Sequence, residues 1–375
     1  MKSFYILIIT TIISAMFFNG CGASSREVRY NTRHSDSITI GVVFPTASKS
    51  VLRTHFSKGI EFAVNTVNKN GGVLGKPLSI VVRDDRNNAN IAMQIAQTFA
   101  QQGITAVIGH WSTNISYYAQ DIYEKNRVVM LTPRSTGLIL FDEEFDYIFR
   151  MVGSNQVFAQ AIAQRAYEKN YRNFAIYFSE DEFGTDLAKI LERELNAKGI
   201  RVIDRVTSIN PLNIDLIMNR WNAFGTDGVI MAASFPEYLN PIRAIRGRGS
   251  RLPIFGDDSF ERIIPEDFPE NYFDGLYVAT LNPENLDAEF YKAFRAEFGH
   301  SPDAAAINGY EAVMLLAHAM EAVGSIDATA ISAYLSNLEN HRTVSGIRTY
   351  NPETQEFDGY SVHVIPLKPL IFGDL

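Results

Sequence analysis

Short apolar runs and amphipathic helical segments alternate along most of this chain, and that alternation constrains its fold more than any other feature. Residues 38–44 form an apolar run rich in β-branched side chains. From Phe56 to Val67 apolar residues recur at helical spacing, and Gly71-Gly72 ends the pattern. Repeated strand–helix units predict parallel sheets covered by helices on both faces.

The same alternation continues in two series. The first series predicts strands at 78–82, 106–108 and 128–131, with helices near 91–99 and 115–123. After Arg150 the second predicts strands at 174–178, 200–205, 229–232 and 253–255, with helices near 158–167, 187–195, 214–221 and 238–245. After a strand at 277–280, helices at 290–298 and 304–323 precede short strands at 346–350 and 361–365. Two similar sheets are therefore expected.

The N-terminal sequence indicates that the protein is exported from the cytoplasm. Lys2 precedes an uncharged stretch, residues 3–19, whose apolar part is too short to cross a bilayer of roughly 30 Å comfortably, and we interpret residues 1–20 as a signal peptide. Phe18-Asn19-Gly20-Cys21 resembles the bacterial lipobox, which predicts lipidation of Cys21 and membrane anchoring. The alternatives are a plain secretory signal and an uncleaved anchor. Residues 21–37 are polar and are predicted to form a flexible tether.

Composition and motifs exclude several classes of function. The chain has 375 residues and a formal net charge of −8, which argues against nucleic acid as the main partner. Its single cysteine permits no internal disulfide. Nucleotide-binding and hydrolase motifs are missing from the sequence, and its seven histidines lack ligand spacing, so we expect no catalysis, no cofactor and no metal. The adjacent acids Asp84-Asp85 are interpreted as a solvated face.

Candidate binding residues lie in the loops that follow the strands, because ligands of parallel sheets bind beyond the carboxyl ends of the strands. Thr113 and Thr136 have hydroxyls suited to a ligand carboxylate near a helix N-terminus, and each is equally explained as a simple N-cap. Asp258 suits a ligand ammonium group, or it is merely a turn residue in Gly256-Asp257-Asp258-Ser259.

Several ordered motifs resemble those of one family, the periplasmic binding proteins of the Leu/Ile/Val-binding type, which are the substrate-capturing subunits of ABC importers. The resemblance runs from about Ile38 to Ile365. The segments that carry it are 68–78 (NKNGGVLGKPL), 83–85 (RDD), 107–110 (VIGH), 121–124 (DIYE), 131–133 (LTP) with Thr136, 149–150 (FR), 182–184 (EFG) and 308–312 (NGYEA).

This resemblance implies the fold. It is the two-lobed type I periplasmic-binding-protein fold of the α/β class, in which each lobe is a mainly parallel sheet flanked by helices and a three-strand hinge joins the lobes. For this chain it implies an N-terminal lobe of residues 38–153 plus 282–360. The C-terminal lobe would contain residues 154–281 plus 361–375.

The resemblance also implies roles for particular residues. In amino-acid-binding relatives, residues at the positions of Thr113 and Thr136 hold the ligand α-carboxylate, and an acid at the position of Asp258 holds the α-ammonium. Phe183 occupies the position of an aromatic residue that closes over the ligand. Ser234 is also a ligand-binding candidate, and it replaces an aromatic residue found in branched-chain binders.

Two further departures concern the first loop and Arg134. Residues 46–53 lack both glycines of the family's first loop. Arg134 replaces a small residue, and its guanidinium predicts a polar or acidic ligand group beyond the α-carboxylate. The alternative is that Arg134 turns outward and pairs with Glu143 or Glu144.

The function implied by the resemblance is capture of an amino acid, or a related small amine or amide, by lobe closure for an ABC importer. The expected partners are this small-molecule ligand, an ABC permease complex and the membrane, reached through the lipid anchor, at the periplasmic or extracellular face. One alternative is a ligand-sensing receptor subunit with the same fold and no role in transport. Another is an enzyme, which would have to turn over its ligand.

Overall fold

A computed structural model describes residues 36–141, 143–281 and 286–373. The predicted signal peptide and Cys21 lie outside the described residues, as does most of the predicted tether. Within the described part of the chain, no helix is both long and apolar enough to cross a membrane.

The helices and strands follow the order that the sequence pattern predicts. The strands are β1 (Ile38–Val43), β2 (Leu78–Arg83), β3 (Ala106–Ile108), β4 (Val129–Thr132), β5 (Ile148–Arg150), β6 (Asn173–Phe178), β7 (Arg201–Val206), β8 (Gly228–Ala232), β9 (Ile254–Gly256), β10 (Leu276–Thr280), β11 (His341–Thr343), β12 (Gly346–Asn351), β13 (Glu356–Asp358) and β14 (His363–Pro366). The helices are α1 (Lys49–Leu52), α2 (Phe56–Lys69), α3 (Ala89–Gln101), α4 (Thr113–Lys125), α5 (Asn155–Glu168), α6 (Glu182–Ala197), α7 (Ile214–Ala223), α8 (Leu239–Gly247), α9 (Ala288–Phe298), α10 (Ala304–Val323), α11 (Ala328–Leu335) and α12 (Leu367–Phe372). Short 3-10 helices lie at Leu138–Phe141, Asp258–Arg262, Pro265–Asp267 and Glu270–Tyr272.

The strands form two sheets. The first has the order β11-β12-β13-β5-β4-β3-β1-β2, and its pairs from β5 to β2 are parallel, with Ile38 opposite Leu78 and Gly41 opposite Val107. The second has the order β14-β10-β9-β8-β6-β7 and is parallel except for β14. Strand order reverses between β1 and β3 in the first sheet and between β6 and β8 in the second. Such reversals open a crevice beyond the carboxyl ends of the strands.

Each sheet is buried on both faces by apolar side chains. Strand residues of the first sheet pack with α2, α10 and α11 on one face and with α3 and α4 on the other. The second sheet packs with α7, α8 and α12 on one face and with α5 and α6 on the other. Burial on both faces explains why the strands read as continuous apolar runs rather than as alternating ones.

The chain passes between the two sheets three times, after β5, after β10 and after β13. The late helices α9 to α11 contribute to the core of the first sheet, while β14 pairs with β10 of the second. The fold class expected from the sequence is therefore confirmed. The lobe boundaries at residues 153, 281 and 360 stay a prediction.

Two kinds of local structure differ from the sequence interpretation. The pattern missed the short elements α1, α11, α12, β5, β11 and β13, which contain eight residues or fewer. Asp85 does not belong to a solvated face, because it is fully buried and its Oδ2 lies 2.8 Å from Nδ1 of the buried His110. Such a contact offsets the cost of burying a polar or charged side chain.

Candidate functional site

A cavity of about 280 Å³ lies between loops that follow strands of both sheets. That volume is close to the lower limit of small-molecule sites, so the cavity suits a compact ligand. The structure brings together all six binding residues predicted from the sequence. These residues, all in the cavity lining, are Thr113, Arg134, Thr136, Phe183, Ser234 and Asp258.

Thr113 lies at the start of α4, where the first N–H groups of the helix have no acceptor within the helix. The N-cap is Ser112, so the alternative that Thr113 itself is the N-cap is wrong. Gly137 N–H donates a hydrogen bond to Thr113 Oγ1 at 3.0 Å. A Cβ at position 137 would lie 2.5 Å from Thr113 Cγ2, so only glycine allows this approach. The hydroxyl proton of Thr113 remains available for an acceptor in the cavity.

Thr136 lies in the loop between β4 and the 3-10 helix Leu138–Phe141, outside any helix N-terminus. Its carbonyl oxygen accepts hydrogen bonds from the amide of Asn155 at 2.7 Å and from the guanidinium of Arg150 at 3.2 Å. Arg150 is almost completely buried and also donates to the carbonyl of Gly137 at 2.7 Å. The buried guanidinium thus holds the loop while the Thr136 side chain lines the cavity.

The second sheet supplies Phe183 and Ser234. Phe183 is in the first turn of α6, whose N-cap Asp181 accepts hydrogen bonds from the amide of Gly184 at 2.8 Å and from the hydroxyl of Ser179 at 2.9 Å. A Cβ at Gly184 would lie 2.4 Å from the carbonyl oxygen of Ser179, so glycine lets the helix start close to the end of β6. Ser234 follows β8 in the adjacent loop.

Arg134 and Asp258 approach each other across the cavity. Their NH1 and Oδ2 atoms are 2.6 Å apart, and the two side chains are only 5% and 7% exposed. The alternative in which Arg134 turns outward to Glu143 or Glu144 is therefore wrong. Burial opposes the charge of Arg134, but the charges of Asp258 and Glu261 outweigh it and raise the pKa of the guanidinium.

The acids next to Asp258 have separate structural roles. Asp257 is the N-cap of the 3-10 helix Asp258–Arg262 and accepts hydrogen bonds from the amide and hydroxyl of Ser259. Burial and the charge of Asp258 raise the pKa of Asp257 to about 6. Glu261 accepts a hydrogen bond from the hydroxyl of Thr280, and burial, with the charge of Asp258, raises its pKa to about 7.

Sequence reasoning missed two large side chains of the cavity, Trp111 and Arg262. Trp111 lies in the loop between β3 and α4, and its Nε1–H donates to Ser50 Oγ at 3.3 Å, which brings the first loop to the cavity edge. Arg262 lies at the end of the 3-10 helix Asp258–Arg262, which follows β9. The sequence signal that could have identified Arg262 is its position, because it is a cationic residue only four positions after the candidate Asp258.

A second ion pair connects the two sides of the cavity. Arg53, the C-cap of α1, donates to both carboxylate oxygens of Asp267, at 2.5 and 3.0 Å, and to the carbonyl of Arg262 at 3.0 Å. Its guanidinium also lies 4.8 Å from the ring centre of Phe235. The loop that departs from the family pattern therefore contacts the opposite lobe directly.

Within the described ranges, no group of three or more His, Cys, Asp or Glu side chains is arranged to hold a metal ion. The charged and hydroxyl-bearing groups of the cavity are suited to bind a small polar molecule.

Two α/β sheets that are connected three times and share a polar cavity at their carboxyl ends define a two-lobed ligand-binding protein. The chain belongs to the periplasmic binding protein family, whose sequence profile matches residues 37–360. The resemblance inferred from the motifs is thereby confirmed. The family and the fold are those of substrate-binding proteins, and family membership implies a location outside the cytoplasm.

Individual relatives agree with this assignment. A Leu/Ile/Val-binding protein homologue of Brucella abortus is 24% identical over 323 residues, covering 84% of this chain and 86% of the relative. An ABC transporter substrate-binding protein of Desulfitobacterium hafniense, solved in complex with leucine, is 31% identical with a TM-score of 0.80, covering 88% of this chain and 97% of the other. A branched-chain amino acid transporter binding protein of Streptococcus pneumoniae, solved with isoleucine, has a TM-score of 0.76 at 18% identity, with coverage of 88% and 99%.

Proposed function

We propose that this protein is the extracytoplasmic solute-binding subunit of an ABC importer and that it captures an amino acid by closure of its two lobes without altering the ligand chemically. The observation that carries the proposal is the pair of opposite charges, Arg134 and Asp258, that face each other across the cavity at 2.6 Å. A free amino acid presents the complementary charges, a carboxylate and an ammonium group, both attached to its α-carbon.

In the proposed complex the ligand ammonium pairs with Asp258. The α-carboxylate accepts hydrogen bonds from the hydroxyls of Thr113 and Thr136, near the N-terminus of α4. Phe183 and Ser234 contact the ligand from the other side of the cavity. Because these residues come from loops of both sheets, the ligand stabilises the closed arrangement only through its contacts with both lobes. The leucine and isoleucine complexes of the relatives support an amino acid as the ligand.

The proposal includes the partners. A permease of the ABC type would receive the ligand from the closed form, and the diacylated Cys21 would keep the protein at the membrane surface. The relatives that are named as ABC transporter binding proteins support the first of these partners. The lipobox-like sequence before Cys21 supports the second.

Calorimetry of the full-length protein tests the ligand class. L-leucine and L-glutamate are compared with 4-methylpentanoate and glutarate, which lack only the amino group. We expect at least one amino acid to bind more tightly than its counterpart. Asp258→Asn should weaken its binding roughly 10- to 150-fold, the scale of a charge-assisted hydrogen bond. Recovery of the bound amino acid with unchanged mass would agree with a role in binding alone.

Asp215→Asn is the matched control, because Asp215 is an exposed acid in α7 that pairs with Arg248 away from the cavity. Its affinity should equal that of the unmodified protein. If the acids without an amino group bind as tightly as the amino acids, or if none of the amino acids binds, the assignment of the ammonium group to Asp258 is wrong. A change in ligand mass during incubation would contradict the proposal that the protein is not an enzyme.

A further inference from the structure

The guanidinium group of Arg262 lies in the cavity wall against the Trp111 ring, without an acidic partner in direct contact among the described residues. The residue is 7% exposed and lines the cavity. Its carbonyl oxygen accepts a hydrogen bond from Arg53, whereas its guanidinium forms no hydrogen bond or ion pair with any residue in the ranges 36–141, 143–281 and 286–373. Burying a charge without compensation is costly, so this position requires an explanation in the function of the site.

Arg134, which follows β4 of the first sheet, contacts the same Trp111 ring. The guanidinium carbons of Arg134 and Arg262 each lie 5.4 Å from the centre of the Trp111 ring system. Although NH1 of Arg134 is close to Asp258, neither NH1 nor Nε of Arg134 has a hydrogen-bond partner among the described residues. Burial, followed by the charge of Arg134, lowers the pKa of Arg262, and the charges of Asp258 and Asp257 offset only part of this effect. The two cations therefore repel each other.

The carboxylates of the lining are engaged elsewhere. Asp181 and Asp257 cap helical segments, and Asp258 is paired with Arg134. Burial and the charge of Asp181 raise the pKa of the remaining acid, Glu237. Arg262 is thus left as a cation that no acid of the lining neutralises by direct contact.

The rest of the lining is poorly suited to a branched aliphatic side chain. Its apolar members are Pro45, Trp111, Phe183, Phe235 and Pro236. The other residues of the lining bear hydroxyl, amide or charged groups. An aliphatic ligand side chain would displace the water that hydrates these polar groups and would offer them no hydrogen bonds in return.

We propose that Arg134 and Arg262 form a subsite for a second anionic group, so that the preferred ligands are amino acids with an acidic side chain. The proposal rests on the amino-acid-binding function proposed above. An anion between the two guanidinium groups cancels their repulsion and accepts hydrogen bonds from their free N–H groups. Because one cation comes from each lobe, the stabilisation exists only after closure, and the anion shifts the equilibrium toward the closed form.

L-Glutamate and L-glutamine provide the sharpest comparison, because they differ only in a carboxylate against an amide of the same shape. In calorimetry with the full-length protein, glutamate should bind at least tenfold more tightly than glutamine, and more tightly than leucine. Arg262→Gln should remove most of the preference for glutamate while changing glutamine affinity less than threefold. Arg262→Lys, which keeps the charge and loses the planar fork, should retain part of the preference.

Arg248→Gln is the control, since it removes an exposed arginine from the same lobe and should leave the preference unchanged. Circular dichroism establishes that each variant is folded. If Arg262→Gln does not fold, Arg262→Lys provides the test: a reduced preference for glutamate supports the subsite, and an unchanged preference contradicts it. Glutamine or leucine binding as tightly as glutamate would overturn the anionic subsite and leave the amino-acid function standing. Binding of glutarate but of no amino acid would overturn the amino-acid function and keep the subsite. No binding of any of these compounds would overturn both.

Discussion

Arg53 holds the two sides of the cleft together, and its removal should open the protein. It is the C-cap of α1 in the first lobe, and it donates two parallel hydrogen bonds to Asp267, which lies in a 3-10 helix after β9. The two side chains are 22% and 10% exposed. Since the partners belong to different lobes, opening of the cleft breaks the pair. Arg53→Gln therefore acts on the closed state alone.

The size of the effect follows from the geometry. Hydrogen bonds to charged groups contribute about 1.5–3 kcal/mol, and this pair is bidentate and mostly shielded from water. In the open form both side chains form hydrogen bonds with water instead. Only part of the hydrogen-bond free energy therefore favours closure. A value of about 2 kcal/mol corresponds to a roughly 30-fold loss in the ratio of closed to open molecules.

Distances between two spin labels measure that ratio without a ligand. Gln94 on α3 and Lys189 on α6 are exposed positions on the two lobes, and both are changed to cysteine in a Cys21→Ser background. We expect Arg53→Gln and Asp267→Asn each to increase the population with the longer distance. The double variant should add little, because both changes remove the same interaction.

The matched control is Arg220→Gln. Arg220 and Asp204 form an ion pair of the same closest distance, 2.5 Å, between α7 and β7 within one lobe, so this change should leave the distance distribution as it is. Equal distributions for the unmodified protein and Arg53→Gln would refute the role of Arg53 in closure. So would strictly additive effects of the two single changes.

Two further predictions concern the anchor and the response to pH. Cys21→Ser should release the protein from membranes, because the lipid chains are the only attachment we propose, and retention in the membrane fraction after centrifugation would contradict this. The raised pKa of Glu261, about 7 against an ordinary value of 4.5, means that the folded protein keeps a proton that the unfolded chain has lost. This contribution to stability is complete below pH 4.5 and lost as pH rises through 7, so urea denaturation should show a decline of about 2 kcal/mol between pH 5 and pH 7.5. Glu261→Gln should flatten part of that decline, whereas the exposed Glu353→Gln should leave it intact; an equal slope in all three proteins would refute the assignment.

Much of the fold was predictable because the sheets are buried on both faces. Strands such as β4 and β8 consist of buried residues along their whole length, and such continuous apolar runs are easily recognised. The short strands of the first sheet, β5, β11 and β13, were harder to find. β13 contains three residues and pairs with β5 through a single position, Glu356 opposite Arg150, and no periodicity can be detected in so short a segment.

The position of the site was predictable, but its charge pairing was not. The rule that ligands bind at the carboxyl ends of parallel strands selected the loops that contain Thr113, Arg134 and Asp258. Which charges meet across the cavity depends on the relative position of two lobes that are far apart in sequence. Arg134 and Asp258 are separated by 124 positions, and local patterns carry no information on such a contact.

The Arg134–Asp258 pair determines which ligands can bind without leaving a buried charge unpaired. Without a ligand each charge compensates the other in a site that is almost closed to water. A ligand with an ammonium group alone would take Asp258 and leave Arg134 as an uncompensated buried cation, and a simple carboxylate would have the opposite effect. A molecule that carries an ammonium group for Asp258 and an anionic group for Arg134 replaces both partners at once. On our proposal, the anionic side-chain group of the ligand lies between Arg134 and Arg262 and compensates both, while the ammonium group pairs with Asp258. Selectivity then arises because none of the three charges is left unpaired.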